Sequence, residues 1–364
     1  MKTGIVTFHS AHNFGASLQT WALQKKLRDL GEDPVIVNYR PEAIEALYHP
    51  LHSYSGMKKQ IVHLGKILKR SPSLKRSKKY DAFIERTFNL TKEYHTYEEL
   101  KNAGIQLDAC IVGSDQVWNT QHTGGYDPAY MLEFLDKGIR RISYAASVGT
   151  DYLLPDCQKE FERALKDFSY VSVREESARP LIQELTDIPV ETVVDPTLLL
   201  DQEDYEKLRT PVGHKEKYIL VYMMEKNTEV IKFANYMSKL LGLPIVQRRP
   251  DRYFQNELDP CYVTTPDEFL DYVKEAECVI TNSFHGTVFS IIYEKPFMAM
   301  LHSDTGSRTK DLLKLLQLED HLLAEGEAKP DFGRFLMKDR GKTQKLIEKY
   351  RGYSLEFLKK ALTA

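Results

Sequence analysis

Five polar stretches, each closing an apolar run, carry the side chains whose types could do chemistry. In CVITNSFHGTVFSIIYEKPFMAM, beginning at Cys278, the polar groups are Asn282, Ser283, His285 and Thr287, set around Gly286. An apolar helix over 287–293 follows, so its free N–H groups and the positive end of its dipole favour an anion at this loop. Gly286 is read as letting the backbone approach a ligand closely. His285 is the side chain there that exchanges a proton near neutral pH; a ring that only hydrogen-bonds the loop backbone is the alternative. In GSDQVWN, the residues Asp115, Gln116, Trp118 and Asn119 crowd one strand end. A carboxylate and amides beside an indole suit the hydroxyls and the C–H face of a sugar ring, whereas a capped turn would explain Asp115 alone. Asn13 and Gly15 precede another helix, where the backbone could hold an anion and Asn13 supply an amide. Arg174 ends YVSVR ahead of Glu175-Glu176. It is either a guanidinium fork for a carboxylate or phosphate or one partner of a weak surface pair with a glutamate. Arg308, in SDTGSRTKDLL, follows a strand and precedes a helix, within reach of an anion in the same cleft.

The elements that must position these groups alternate between strand and helix. A strand at 4–8, a helix carrying Leu18, Trp21, Ala22, Leu27 and Leu30 and stopped by Gly31, and a strand at 34–38 make a βαβ opening. That opening is typical of a doubly wound domain. Strands follow at 109–112, 141–146, 170–173 and 190–194, with helices at 97–103, 157–166 and in REESARPLIQEL. A second half starts near Lys217, with strands in YILVYMM, at 244–247, at 278–281 and beyond Pro296. Its helices are expected at 228–241, after the Thr265 cap and Pro266, and at 310–316. A long amphipathic helix at 343–362 packs back across both halves. The organisation expected is an N-terminal domain over 1–212, a C-terminal domain over 213–340 and a returning helix over 341–364. Ligands of doubly wound sheets sit at the carboxyl ends of the strands, where these polar loops gather.

Composition bounds the partners. With 364 residues and a net charge of −2, the chain is expected to form two domains and not to be a nucleic-acid binder. Its four cysteines lie far apart without a CxxC pair, which predicts a reduced, cytosolic protein without a metal cluster. MKTGIVTF passes straight into polar residues, unlike a signal peptide, and no run of about 18 apolar residues would span a membrane. Neither GxGxxG nor a P-loop is present. Residues 57–79 carry nine Lys or Arg and no acid, with Ile61, Leu64, Ile67 and Leu68 at helical spacing and Ser71-Pro72-Ser73 as a flexible break. This basic flap, about 50–90, is either a solvated excursion or a cationic cover for an anionic substrate or acidic lipid headgroups.

In order along about the first 320 residues, GIVTFHSAHNFGASLQTWALQKKLRDLG, IVGSDQVWN, SVREES, VVDPTLLL, VITNSFHGTVFSIIYEKPF and GSRTKDLLKLL resemble the polysaccharide pyruvyl transferase family. The resemblance implies two Rossmann-like domains facing each other across a cleft, in a GT-B-like fold. It implies transfer of a pyruvyl group from phosphoenolpyruvate, as co-substrate and without a cofactor or metal, to two hydroxyls of a sugar. The product is a cyclic ketal, made in cell-surface polysaccharide biosynthesis in bacteria. His285 falls on the family's general acid and Arg174 on a ligand of the phosphoenolpyruvate phosphate or carboxylate, with Asp115 a nearby carboxylate. Where some members have arginine and leucine before the HG pair, this chain has Ser283 and Phe284, so Arg308 or a flap lysine must supply the missing cation. The acceptor would be a lipid-linked or nucleotide-linked sugar, and the basic flap suits contact with the inner face of the membrane through 57–79; oligomeric state stays open. Two other functions fit the residues: a GT-B-like glycosyltransferase using a nucleotide sugar, and a non-catalytic glycan-binding protein.

Overall fold

The computed structural model describes residues 1–48, 72–150, 152–214, 216–247, 263–324, 327, 332–336 and 339–363. The chain opens with β1 (Lys2–Val6), α1 (Phe14–Asp29), β2 (Asp33–Tyr39), α2 (Pro72–Thr87) and β3 (Leu90–Tyr94). It continues through β4 (Ala109–Val112), β5 (Arg140–Ser143), α3 (Pro155–Leu165), β6 (Val171–Val173) and β7 (Val190–Thr192). The first five strands form a parallel sheet in the order β3-β2-β1-β4-β5. Bridges Ile142–Tyr170 and Ala146–Val173 bring the parallel pair β6–β7 alongside it. Ile5 on β1 lies between Ile36 and Ile111, all three fully buried, which is why the central strands read as unbroken apolar runs. The strand order reverses between β1 and β4, so the loops after these two strands splay apart and open a crevice.

A second parallel sheet, ordered β11-β10-β8-β9, comprises β8 (Ile219–Tyr222), β9 (Ile245–Gln247), β10 (Cys278–Thr281) and β11 (Phe297–Ala299). Its helices are α4 (Thr228–Leu241), α5 (Pro266–Glu275), α6 (Phe284–Ile292) and α7 (Ser307–Leu315). Its own reversal point lies between β8 and β10, where Asn282 of one loop accepts from Met224 N–H of the other at 2.8 Å. The two domains share apolar packing below the cleft. Phe14 of α1 stacks on Phe269 of α5 at 4.6 Å, and Tyr205 meets both Trp21 of α1 and Phe289 of α6. Helix α8 (Arg340–Thr363) straps both domains: Arg351 donates to Leu198 O and Leu200 O, while Arg340 pairs with Glu294.

Several expectations change. Pro72 opens α2 instead of marking a flexible break, because its fixed φ suits a first helical turn. Lys79 and Arg86 of α2 pair with Glu268 and Asp267 of α5, at 2.7 Å and 2.9 Å, so this end of the basic stretch ties the domains together. Residues 57–71, with the proposed membrane-facing stripe, lie outside the described residues. REESARPLIQEL is broken into a 3-10 turn (Glu176–Ala178) and a short helix (Arg179–Gln183). Strand β3, LTKEY, was not anticipated, since its polar edge-strand pattern lacks an apolar run. Helix α6 begins at Phe284, so His285 and Gly286 belong to its first turn and not to the preceding loop. Among the described residues no helix is long and apolar enough to cross a membrane, and no cluster of His, Cys, Asp and Glu is arranged for a metal. Cys110 and Cys278 are buried, as expected, and burial pushes the Cys278 thiol up to about 12.

Candidate active site

Two helix N-termini, one from each domain, meet at the cleft. Asn13 caps α1 by accepting from Gly15 N–H at 2.9 Å, and Ser283 caps α6 by accepting from Gly286 N–H at 3.3 Å. These caps follow from residue type: short polar side chains satisfy first-turn donors that have no intrahelical partner. His285 lies directly against α1. A Cβ on Gly15 would stand 2.0 Å from its Nδ1, so the absence of a side chain at Gly15 is what admits the ring. Gly286 serves differently from the expectation of a ligand-approach glycine. A Cβ there would meet Thr281 Oγ1 at 2.3 Å and Tyr222 at 2.9 Å, so it seats α6 on the sheet.

Behind His285 sits a residue the sequence reading left unassigned, Asp195, fully buried at the turn after β7. Its Oδ1 accepts from Thr197 N–H and Oγ1–H, at 3.0 and 2.6 Å. Its Oδ2 accepts from Arg174 Nη1 at 2.8 Å and Ser114 Oγ at 3.1 Å, and lies 3.6 Å from His285 Nε2. Burial alone would raise this carboxyl; His285, Arg174 and Thr197 outweigh it and hold Asp195 far below the usual carboxylate range. Its one sequence signal was the Asp-Pro pair closing VVDP.

Arg174 is neither a surface partner of one glutamate nor an open fork. It is buried and gathers three carboxylates: Asp195, Glu175 at 3.3 Å and Asp115 at 4.0 Å. Desolvation opposes its charge, but these carboxylates prevail and raise its pKa. Arg174 Nη2 and His285 Nε2 are nevertheless buried without a hydrogen-bond partner. Unpartnered polar atoms at this depth cost free energy unless a ligand or water satisfies them. The ring of Phe284 covers the Arg174 guanidinium at 4.5 Å and stands 5.8 Å from that of Arg308.

In front of His285 a polar cavity of about 230 Å³ is lined from both domains. Asn13, Asp115, Gln116 and Asn119 come from the first; Asn282, Ser283, His285 and Arg308 come from the second. The site therefore gathers most of the residues singled out from sequence. Asp115 adopts φ +70°, a left-handed conformation that Asp tolerates better than most residues, and receives Gln116 N–H on its own carboxylate. The Gln116 amide lies 3.3 Å from the Arg308 guanidinium. Asn282 spends its side chain tying the two loops of its domain together, through Met224 N–H and Glu225 O. Trp118 is a correction. It is 1% exposed, donates to Tyr130 O and packs edge-on against Phe161 and Phe168, so no indole face is offered to a sugar. The sequence reading missed Gln121, His122, His302, Asp304 and Thr305 on the same cavity wall, because they lie in loops without strand or helix periodicity.

Comparison with known proteins agrees with this architecture. Among solved structures the chain is similar to the UDP-GlcNAc 2-epimerase from Neisseria meningitidis bound to UDP-GlcNAc, at TM-score 0.51 and 10% identity, covering 100% of this chain and 99% of that one. It is also similar to a putative UDP-N-acetylglucosamine 2-epimerase from Listeria monocytogenes, at TM-score 0.50 and 8% identity, covering 96% and 90%. At such identities the likeness speaks for the fold alone, two Rossmann-like domains across a cleft in the GT-B-like manner. Comparison with curated proteins found no match. A family model described as polysaccharide pyruvyl transferase matches residues 13–304, a span that holds Asn13, Asp115, Arg174, Asp195 and His285. The chain belongs to the polysaccharide pyruvyl transferase family.

Proposed function

We propose that the protein transfers the pyruvyl group of phosphoenolpyruvate to two hydroxyls of a sugar, forming a cyclic ketal and releasing phosphate. The carrying observation is the pair of buried unpartnered nitrogens, His285 Nε2 and Arg174 Nη2, where two helix N-termini converge. Those N-termini, with Arg308, favour a small polyanion. His285, as general acid, gives a proton to the enol C3 and leaves an oxocarbenium-like C2. One sugar hydroxyl attacks C2, the C–O bond to phosphate breaks, and the second hydroxyl closes the ketal. Of the two hydroxyl protons, one returns to His285 and the other leaves with phosphate, so atoms and charge balance. Asp115, 4.0 Å from Arg174 on the cavity wall, is placed to relay the proton that leaves with phosphate. Arg174, saturated on two of its nitrogens, acts through Nη2, while Arg308 replaces the cation that Ser283-Phe284 omits. We propose further that the acceptor is a cell-surface glycan precursor, lipid-linked or nucleotide-linked.

The test is calorimetric titration of phosphoenolpyruvate into wild type and Arg308→Ala. Binding by the wild type, weakened about tenfold or more in the variant as expected for a lost charge-assisted contact, supports the donor and its place. Absence of binding, together with thermal protection by a nucleotide sugar, would instead make the protein a GT-B-like glycosyltransferase. Protection by neither would favour a glycan-binding protein without this chemistry.

A further inference from the structure

The polar cavity has two further rings on its wall that the donor chemistry leaves unused. His122, from the loop after β4 in the first domain, and His302, from the segment after β11 in the second, both line it, with Arg308 near each. We propose that His122 and His302 form the acceptor subsite, each ring holding one hydroxyl of the sugar diol that becomes ketalised. The inference rests on the pyruvyl-transfer reading above and names where its second substrate sits.

The geometry supports it in three ways. The tautomer of His302 is fixed: its Nδ1 accepts from Asp304 N–H at 3.2 Å, so Nε2 carries the proton and is a donor, 3.8 Å from the nearest Glu225 oxygen. That distance is too long for a hydrogen bond, so Glu225 does not take the Nε2 proton. His122 Nδ1 is buried without a hydrogen-bond partner, an unmet group on the same wall. Burial first, and Arg308 with it, lowers the pKa of each ring, while Asp115 pulls His122 upward and Glu225 and Asp304 pull His302 upward. Burial prevails, so both are neutral near pH 7. A neutral imidazole carries one donor and one acceptor, which is the complement of a hydroxyl. Because the rings come from opposite domains, the diol would bridge the cleft and bring its oxygens toward the donor held by His285 and Arg308.

The experiment uses the full chain and a panel of methyl glycosides: galactoside, glucoside, mannoside and N-acetylmannosaminide. Their binding is read by saturation-transfer NMR in the presence of phosphoenolpyruvate, and phosphoenolpyruvate binding is read separately by calorimetry. His122→Phe and His302→Phe keep ring bulk and remove the polar atoms. They should weaken the bound glycoside tenfold or more while leaving the phosphoenolpyruvate Kd within twofold. His302→Gln, which restores an N–H near Nε2, should recover part of the loss, and this rescue separates hydrogen bonding from a structural defect. Glycoside binding unaltered in both Phe variants overturns the subsite, as does a panel in which no glycoside binds wild type. Glycoside binding that depends on these histidines, with no phosphoenolpyruvate binding, would keep the subsite and discard the donor.

Discussion

His285 Nε2 stands 3.6 Å from Asp195 Oδ2, so the ring belongs to one domain and the carboxylate behind it to the other. Asp195 is fully buried and holds Arg174, Ser114 and Thr197 of its own domain, so its position does not depend on His285. The pair is thus made across the two domains, and neither half contains it alone.

Asp195→Asn isolates that pair through stability. The folded carboxyl is held below its unfolded value of about 3.9, so its contribution is full above that pH and is lost as pH falls toward the folded value. Wild-type Tm should therefore drop more steeply than that of Asp195→Asn once the pH falls below about 4. The variant should be the less stable at pH 7 by about 3–5 kcal/mol, since Arg174 loses its closest carboxylate. Calorimetric Tm values across this range check the prediction; parallel curves would mean that the carboxyl is not held ionised.

His285→Ala should lower phosphate release from phosphoenolpyruvate about 10²–10⁴-fold, the usual loss on removing a general acid. Phosphoenolpyruvate affinity should change little, because Arg308 and the helix N-termini remain. A loss confined to affinity would make His285 a ligand and not the proton donor.

Trp118→Phe tests the correction to the sugar platform. Losing the indole donor orphans Tyr130 O inside the first domain, which should cost about 1–3 kcal/mol of stability by urea titration. Glycoside binding per folded molecule should be unaltered. Weaker glycoside binding at full stability would put Trp118 back at the site.

The doubly wound sheets and their polar strand ends were legible in the sequence because apolar runs and helical spacing are local. Ala109–Val112, Thr228–Leu241 and Cys278–Thr281 fall where those patterns place them. The family motifs likewise marked His285 and Arg174. What could not be read was the tertiary assignment of each polar group. Trp118 and Asn119 are a residue apart, yet one faces the core and the other the cavity. Asp195, some ninety residues before His285, becomes its neighbour only when α6 docks on α1. The two glycines divided for the same reason: what surrounds each missing Cβ is set by another segment of chain.

Gly15 offers the sharpest check on how the two domains meet. A Cβ at this position would overlap His285 Nδ1 at 2.0 Å and Cγ at 2.3 Å, while the remainder of α1 stays helical and capped by Asn13. Gly15→Ala should therefore cost about 1–3 kcal/mol by overpacking, and should displace the ring enough to lower turnover. The clash needs its partner. In a His285→Ala background the same substitution should cost nothing, or stabilise the protein slightly through the better helix propensity of alanine. A double-mutant cycle by urea unfolding measures this directly, and the expected coupling is at least about 1 kcal/mol. Additive costs would mean that the ring of His285 does not rest on Gly15 in solution, and that the two helix ends stand further apart than the geometry described above.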